Sequence, residues 1–458
     1  MRRALFLFIV LALTLAPGLA RTEETRVQNA FQRTAEADNP AVKKPGTPPA
    51  VPGKGLTLAQ ALNLALQHNP ALAAFSEEIK ARTAGAEQAG LLPNPALGVD
   101  VENFGGSDEK QSFESAETTV FLSQLIALGG KIAKRQQLAS LEKELAVWDY
   151  RSKEFDALAA TATAFVQLLI AQQRETLDSE LVKISQQTFA TVSARAEAGK
   201  VRPIEKTKSW VELASAKANL QRSRRKVAAA RVRLAANWGA DEWGFGEALG
   251  NLEEMESLPE REEIALTLNR NPDIARWGDE LKTREAAVTE AESQAIPDLT
   301  VHFGVRNFQD TGDNALVAGL ELPLPLFDRQ QGSISRAVAE QEKTRQQKRD
   351  SAVKTRADLE QSWQRLDAAW QDAVALREEI LPGAYEAFHS TETGYKEGKF
   401  DFLELMDAQR KLFEVKGQYL DATGAYHLEF IQLQRLRGVP IGPGNFGFSE
   451  QKGGKQGD

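Results

Sequence analysis

At 458 residues the chain has room for two or three ordinary domains, and it carries a net charge of −8 with no cysteine and four histidines. The missing cysteine excludes disulfides, thiolate metal sites, thiol catalysis and a lipidated N-terminal cysteine. There is no basic stripe suited to nucleic acid, and a mild negative charge says little else.

Residues 1–20 are predicted to be a signal peptide. Arg2 and Arg3 form its charged end, Ala4 to Ala16 is apolar apart from Thr14, and Gly18 and Ala20 suit a cleavage site that leaves Arg21 first. A membrane anchor is the weaker reading, because the apolar run is shorter than the ~20 residues a bilayer span needs. No other segment is apolar enough for a transmembrane helix, which leaves a soluble exported protein or an outer-membrane β-barrel. Residues 21–54, with Pro40, Pro45, Pro48, Pro49 and Pro52, read as an extended leader without its own core.

A helix is predicted over about 57–90, after which the apolar period drops from 3.6 to 2. Leu97, Val99 and Val101 alternate with Gly98, Asp100 and Glu102. Val120, Leu122 and Gln124 alternate with Phe121, Ser123 and Leu125, a weaker and two-sided pattern. From Lys131 to Ala198 there are 68 residues without glycine or proline, enough for a continuous helix ~100 Å long. Its first half carries a heptad stripe of Leu138, Leu141, Leu145, Trp148, Ser152, Phe155, Ala159, Ala162, Val166 and Leu169, the spacing of a coiled-coil seam. A turn at Gly199-Lys200 leads to a shorter helix over about 203–237.

The second half repeats this order. Leu66-Gln67-His68-Asn69-Pro70 returns as Leu268-Asn269-Arg270-Asn271-Pro272, Pro93-Asn94 as Pro297-Asp298, Gly199-Lys200 as Gly398-Lys399, and Trp238-Gly239 as Arg437-Gly438. A helix is predicted over about 260–294. Two strands follow, one alternating Leu299, Val301, Phe303 and Val305 with Thr300, His302, Gly304 and Arg306, the other alternating Leu316, Ala318, Leu320 and Leu322 with Val317, Gly319 and Glu321. Ser333 to Leu381 is again free of breakers, with Leu359, Trp363, Leu366, Trp370 and Ala373 in alternating heptad spacing, and Pro382-Gly383 predicts a kink. A last helix is expected over about 401–437. Residues 55–240 and 260–438 are therefore two copies of one multi-element half, joined by a connector at 241–259 and followed by a loose tail at 439–458.

Strands of about ten residues with one apolar face have the length and pattern of outer-membrane strands, but four cannot close a barrel, for which ~8 is the practical minimum. Either several chains share one barrel, or a small soluble sheet caps a helical bundle. The strand pattern leaves both open.

Several motifs narrow the choice. Leu56-Thr57-Leu58-Ala59-Gln60-Ala61-Leu62, Asn69-Pro70 and Gly90-Leu91-Leu92-Pro93-Asn94-Pro95 resemble the opening of TolC-like outer-membrane efflux proteins. Ser123-Gln124-Leu125-Ile126-Ala127-Leu128-Gly129-Gly130-Lys131 matches that family's link from second strand to first long helix. Gly394-Tyr395-Lys396-Glu397-Gly398-Lys399-Phe400 and Leu405-Met406-Asp407-Ala408-Gln409-Arg410 match its second periplasmic turn. The Pro-Asn-Pro, Leu-Gly-Gly-Lys and Gly-Lys-Phe forms are most similar to the cobalt–zinc–cadmium resistance branch, and the resemblance runs collinearly over about 55–438.

The resemblance implies a mainly α, mixed fold: a homotrimer with twelve strands in one outer-membrane barrel and a long coiled-coil α-barrel tunnel across the periplasm. It implies a passive exit duct, fed by an inner-membrane resistance–nodulation–division pump through a periplasmic adaptor, with divalent heavy-metal cations as cargo. The same duct serving organic drugs or polypeptide secretion is the first alternative, and a soluble periplasmic coiled-coil scaffold a more distant one.

An enzyme finds little footing. His68, His302, His389 and His427 have no spacing that pairs two on one helical face, and methionine beyond the initiator occurs only at 255 and 406, so no metal site or cofactor is expected. Glu404 and Asp407 lie three residues apart, on one helix face. By itself such a pair is a solvated surface; the resemblance places it at the constricted periplasmic end, where three copies would ring the axis with six carboxylates. Mutual repulsion among them would leave the constriction easier to open. Tyr395 matches a family tyrosine that helps latch that end, whereas Phe400 stands where a basic partner is expected, beside Lys399. Gly199, Lys200 and Val201, with Gly398 and Lys399, are the candidate adaptor-contact tips, although plain helix–turn–helix chemistry would also account for the glycines.

Overall fold

The computed structural model describes residues 55–442 apart from 111, 268 and 269. The expected signal peptide, the leader and all but the first residues of the tail lie outside the described residues, as do Leu268 and Asn269 of the repeated motif.

Strand β1 (Leu56–Thr57) leads into α1 (Leu58–His68), started by a capping box in which Thr57 Oγ1 accepts from Gln60 N–H and Gln60 Oε1 from Thr57 N–H. Where one helix was predicted over 57–90 there are two, because α2 (Pro70–Ala89) begins afresh. The residue before a proline is pushed out of the helical region. Asn69 accordingly sits at φ −64°, ψ 119°, and its Oδ1 accepts from Ala71 and Leu72 N–H at the head of α2. The second half breaks in the same way, at Asn271 (φ −63°, ψ 123°).

Strands β2 (Ala96–Glu102) and β3 (Glu117–Ile126) form the first hairpin. Helix α3 (Lys131–Glu197) then runs unbroken for 67 residues, ~100 Å at 1.5 Å per residue. Helix α4 (Pro203–Ala236) returns along it, and β4 (Ala248–Leu249) pairs in parallel with β1. The second half supplies α5 (Arg261–Leu266), α6 (Pro272–Gln294), β5 (Leu299–Phe308), β6 (Asn314–Glu321) and α7 (Gln331–Ala375). Helices α8 (Leu381–Glu397) and α9 (Phe402–Arg437) complete it. The kink expected at Pro382 takes the form of a π-turn at Leu376–Ile380, just ahead of it. Proline cannot donate to the carbonyl four residues back, and one widened turn absorbs the missing bond.

The core lies where α3 meets α1, α4 and α9, and there Ala157–Leu169 is buried on nearly every side. The expected heptad seam is therefore only partly a seam within one chain. Ala162, Val166 and Leu169 are buried, but Leu138, Leu141, Leu145, Trp148 and Phe155 are half-buried. The polar member, Ser152, donates to Asp273 Oδ1 (2.5 Å) inside a cluster that Arg435 closes against Asp156 and Asp273.

The four long strands form one antiparallel sheet in the order β2-β3-β5-β6, with β2 and β6 as open edges. Register sets Leu97 against Leu122 and Phe303, and Val99 against Val120, Val305 and Leu316. Residues directly opposite share a face, so these apolar side chains line one face, and all seven are exposed; Thr118, Gln124, Asn307 and Asn314 are its polar members. Asp100, Glu102, Glu117, Arg306 and Glu321, every charged residue of the four strands, share the other. The two-sided pattern of β3 has a simple cause. Phe121 is on the charged face, where its ring lies over Gly98, so close that a Cβ there would sit 2.3 Å from it.

Candidate functional site

The two helical hairpins end in equivalent turns. Gly199 (φ +71°) closes α3 with Lys200 N–H donating to Arg195 O (2.9 Å), and Gly398 (φ +82°) closes α8 with Lys399 N–H donating to Gly394 O (2.8 Å). Each is a left-handed helix stop that glycine adopts without strain. The turns meet in one shallow cleft whose lining includes Gly199, Lys200, Val201 and Gly398. Four of the five predicted tip residues are thus brought together; the fifth, Lys399, pairs instead with Glu397 (2.7 Å).

Glu404 and Asp407 are exposed one turn apart on α9, while Phe402, Leu405, Gln409 and Leu412 turn inward. Neither carboxylate is idle. Glu404 completes a capping box, its Oε2 accepting from Asp401 N–H (2.8 Å) while Asp401 Oδ1 accepts from Glu404 N–H (2.9 Å). Asp407 is paired with Arg410.

Tyr395 is not with them. It is 3% exposed, packed in a small core with Val192, Phe388, Phe402 and Leu405. Its hydroxyl has no hydrogen-bond partner among the described residues, and burial raises its pKa. The cation beside it comes from the other hairpin: Arg195 stacks its guanidinium 4.6 Å from the ring centroid and donates to Tyr395 O (2.5 Å). Phe400, where a basic residue was expected, folds over Gly394, so closely that a Cβ there would lie 2.2 Å from its ring. Arg195 and Glu205, the latter buried and paired with Arg202 (3.1 Å), are the tip residues that sequence reasoning missed. Aligning the two halves sets Arg195 against Gly394, and that asymmetry was the available signal.

At the other end of the molecule Arg306 gathers Glu102 (3.0 Å), Glu117 (2.8 Å) and Thr119 (2.9 Å) on the charged face of the sheet. The histidines stay apart. His302 lies over Gly319 and against Phe121, His389 approaches Glu392, and His68 ends α1. Buried His427 donates to Leu252 O (3.0 Å), and burial lowers its pKa to about 4. Among the described residues no three His, Asp or Glu side chains converge as metal ligands would.

The family described as outer membrane efflux protein matches residues 61–240 and 264–439. The cobalt-zinc-cadmium resistance protein CzcC of Cupriavidus metallidurans is 33% identical over 383 residues, 84% of this chain and 90% of that one. The nickel-cobalt-cadmium resistance protein NccC of Alcaligenes xylosoxydans xylosoxydans is 24% identical over 63% of this chain and 64% of its own length. Among solved structures, CusC superposes with a TM-score of 0.72 at 16% identity, over 88% of this chain and 99% of that one. The open MtrE channel of Neisseria gonorrhoeae gives 0.68 at 19%, over 83% and 89%.

Proposed function

Because this chain belongs to the outer membrane efflux protein family, we propose that it is the exit duct of a tripartite efflux system, assembled from three copies. It is an outer-membrane channel with a periplasmic helical tunnel, and its relatives are channels rather than enzymes. Three sheets of four strands close one twelve-stranded barrel, leaving no edge in lipid. The observation that carries this reading is the sorting of the sheet: one face without a charge and bearing the exposed apolar rows, the other holding all five charges.

The duct is passive. A resistance–nodulation–division pump supplies the drive, and a periplasmic adaptor seats on the cleft where Gly199, Lys200, Val201 and Gly398 meet. Glu404 and Asp407, repeated three times, ring the periplasmic entrance and favour cations over anions. Arg195, stacked on Tyr395, holds the two hairpins together behind that ring and stands in for the basic residue absent at position 400. Residues 55–240 and 260–438 act as two equivalent halves of each chain's contribution. The cargo is a divalent heavy-metal cation, a reading supported by the metals in the names of CzcC and NccC.

A growth panel on a deletion strain tests the cargo. Sensitivity to zinc, cobalt, cadmium or nickel, restored by the intact gene, is the expected result. Sensitivity only to dyes and antibiotics would move the duct toward relatives such as the pyoverdine export protein OpmQ, 22% identical over 79% of the chain.

A further inference from the structure

The apolar register of β6 does not stop where the strand stops. Leu316, Ala318 and Leu320 occupy one face, and the same period of two continues through Leu322, Leu324 and Leu326; Phe327 follows directly, and then Asp328 and Arg329. Among the described residues nothing covers these linker side chains: Leu324 is 71% exposed and Phe327 90%. On the opposite edge of the sheet Leu92, leading into β2, is 73% exposed.

The backbone of the linker is suited to an environment without water. Pro323 and Pro325 carry no N–H, and Leu326 N–H is used internally on Leu324 O (2.8 Å). Three of the four residues from Pro323 to Leu326 therefore offer a lipid phase no N–H to desolvate. Length points the same way. From Leu316 to Leu320 the outward apolar positions of β6 cover only ~14 Å at ~3.4 Å per residue, whereas the apolar band of outer-membrane barrels is ~25 Å tall.

Resting on the barrel reading above, we propose that Leu322–Phe327 is a lipid-contacting rim. It extends the apolar band beyond the strands toward the helices and seats Phe327 at the boundary between phospholipid acyl chains and headgroups. Asp328 and Arg329 then mark the return to water.

The chain has no cysteine, so a nitroxide can be placed at one introduced thiol without background. Leu320→Cys, Leu324→Cys and Phe327→Cys, each in the full-length protein in vesicles of phosphatidylethanolamine and phosphatidylglycerol, are compared by power saturation with oxygen and with a water-soluble nickel chelate. Lys200→Cys serves as the aqueous control. Labels at 324 and 327 are expected to follow the label at 320, with oxygen access exceeding nickel access and the difference smaller at 327. A label at 324 reached mainly by nickel would place the rim in water, and one reached by neither would place it against a second copy; either overturns the proposal. A label at 320 reached mainly by nickel would instead overturn the barrel reading itself.

Discussion

Arg195 and Tyr395 come from opposite halves of the chain, yet they share both a hydrogen bond and a stacking contact at the hairpin tips. Tyr395 is buried within its own chain, whereas the carboxylates of Glu404 and Asp407 on α9 are exposed. Replacing both Glu404 and Asp407 by alanine should raise conductance or lower cation selectivity in a planar bilayer, and unchanged values would remove the pair from the gate. Glu404 also caps α9, so Glu404→Gln is the cleaner single variant: it keeps an acceptor for Asp401 N–H while removing the charge. His427 yields a separate prediction. Its imidazole titrates near 6.5 in the unfolded chain and about 4 in the folded one, so between these values the unfolded state binds the extra proton. Stability from this site is fully present above pH ~6.5 and falls as the pH drops toward 4, by about 2 kcal/mol at pH 5. Denaturant midpoints at pH 7 and pH 5 should differ less in His427→Gln than in the parent.

At the level of elements, one small knot appears twice. Asn69 caps α2 and donates through Nδ2 to Asn237 O (2.8 Å), and Asn271 caps α6 and donates to Leu436 O (2.8 Å). Each acceptor carbonyl lies two residues before a glycine of positive φ, Gly239 or Gly438, that ends the last helix of its half. At Gly438 the fit is close, since a Cβ would fall 2.5 Å from Arg270 O. Asn271→Ala removes an N-cap and leaves a helix-terminal carbonyl unpaired, a loss of about 1–3 kcal/mol. Asn69→Ala should cost a similar amount, and equal shifts in urea midpoint would show that the knots bear equal load. Both Asn-Pro pairs were plain in the sequence, yet they were read inside a single helix. The apolar spacing continued across them, and periodicity outweighed the local rule against a helical residue before proline.

For the molecule as a whole, the sheet decides where the protein resides. Leu320 is on the charge-free face and Val317 on the charged one, three residues apart in the same strand. Arginine at the outward face of a barrel costs about 2–4 kcal/mol near the bilayer midplane, whereas an inward one meets water. Leu320→Arg should therefore deplete the heat-resistant oligomer in outer-membrane fractions, with Val317→Arg near the parental amount. Equal losses in the two variants would count against lipid on the apolar face.

The sequence alone determined the long breaker-free helices, the four alternating strands and the glycine stops, because these depend on residues near one another in the chain. Its repeated motifs also carried the family. Tertiary structure was needed to show that Arg195, not a residue near position 400, faces Tyr395, and that the heptad stripe on α3 is buried by its own chain only toward its end. It also decided that five charges scattered over four strands share one face. Such facts depend on pairing across some two hundred residues, and local pattern holds no record of which distant side chain will meet which.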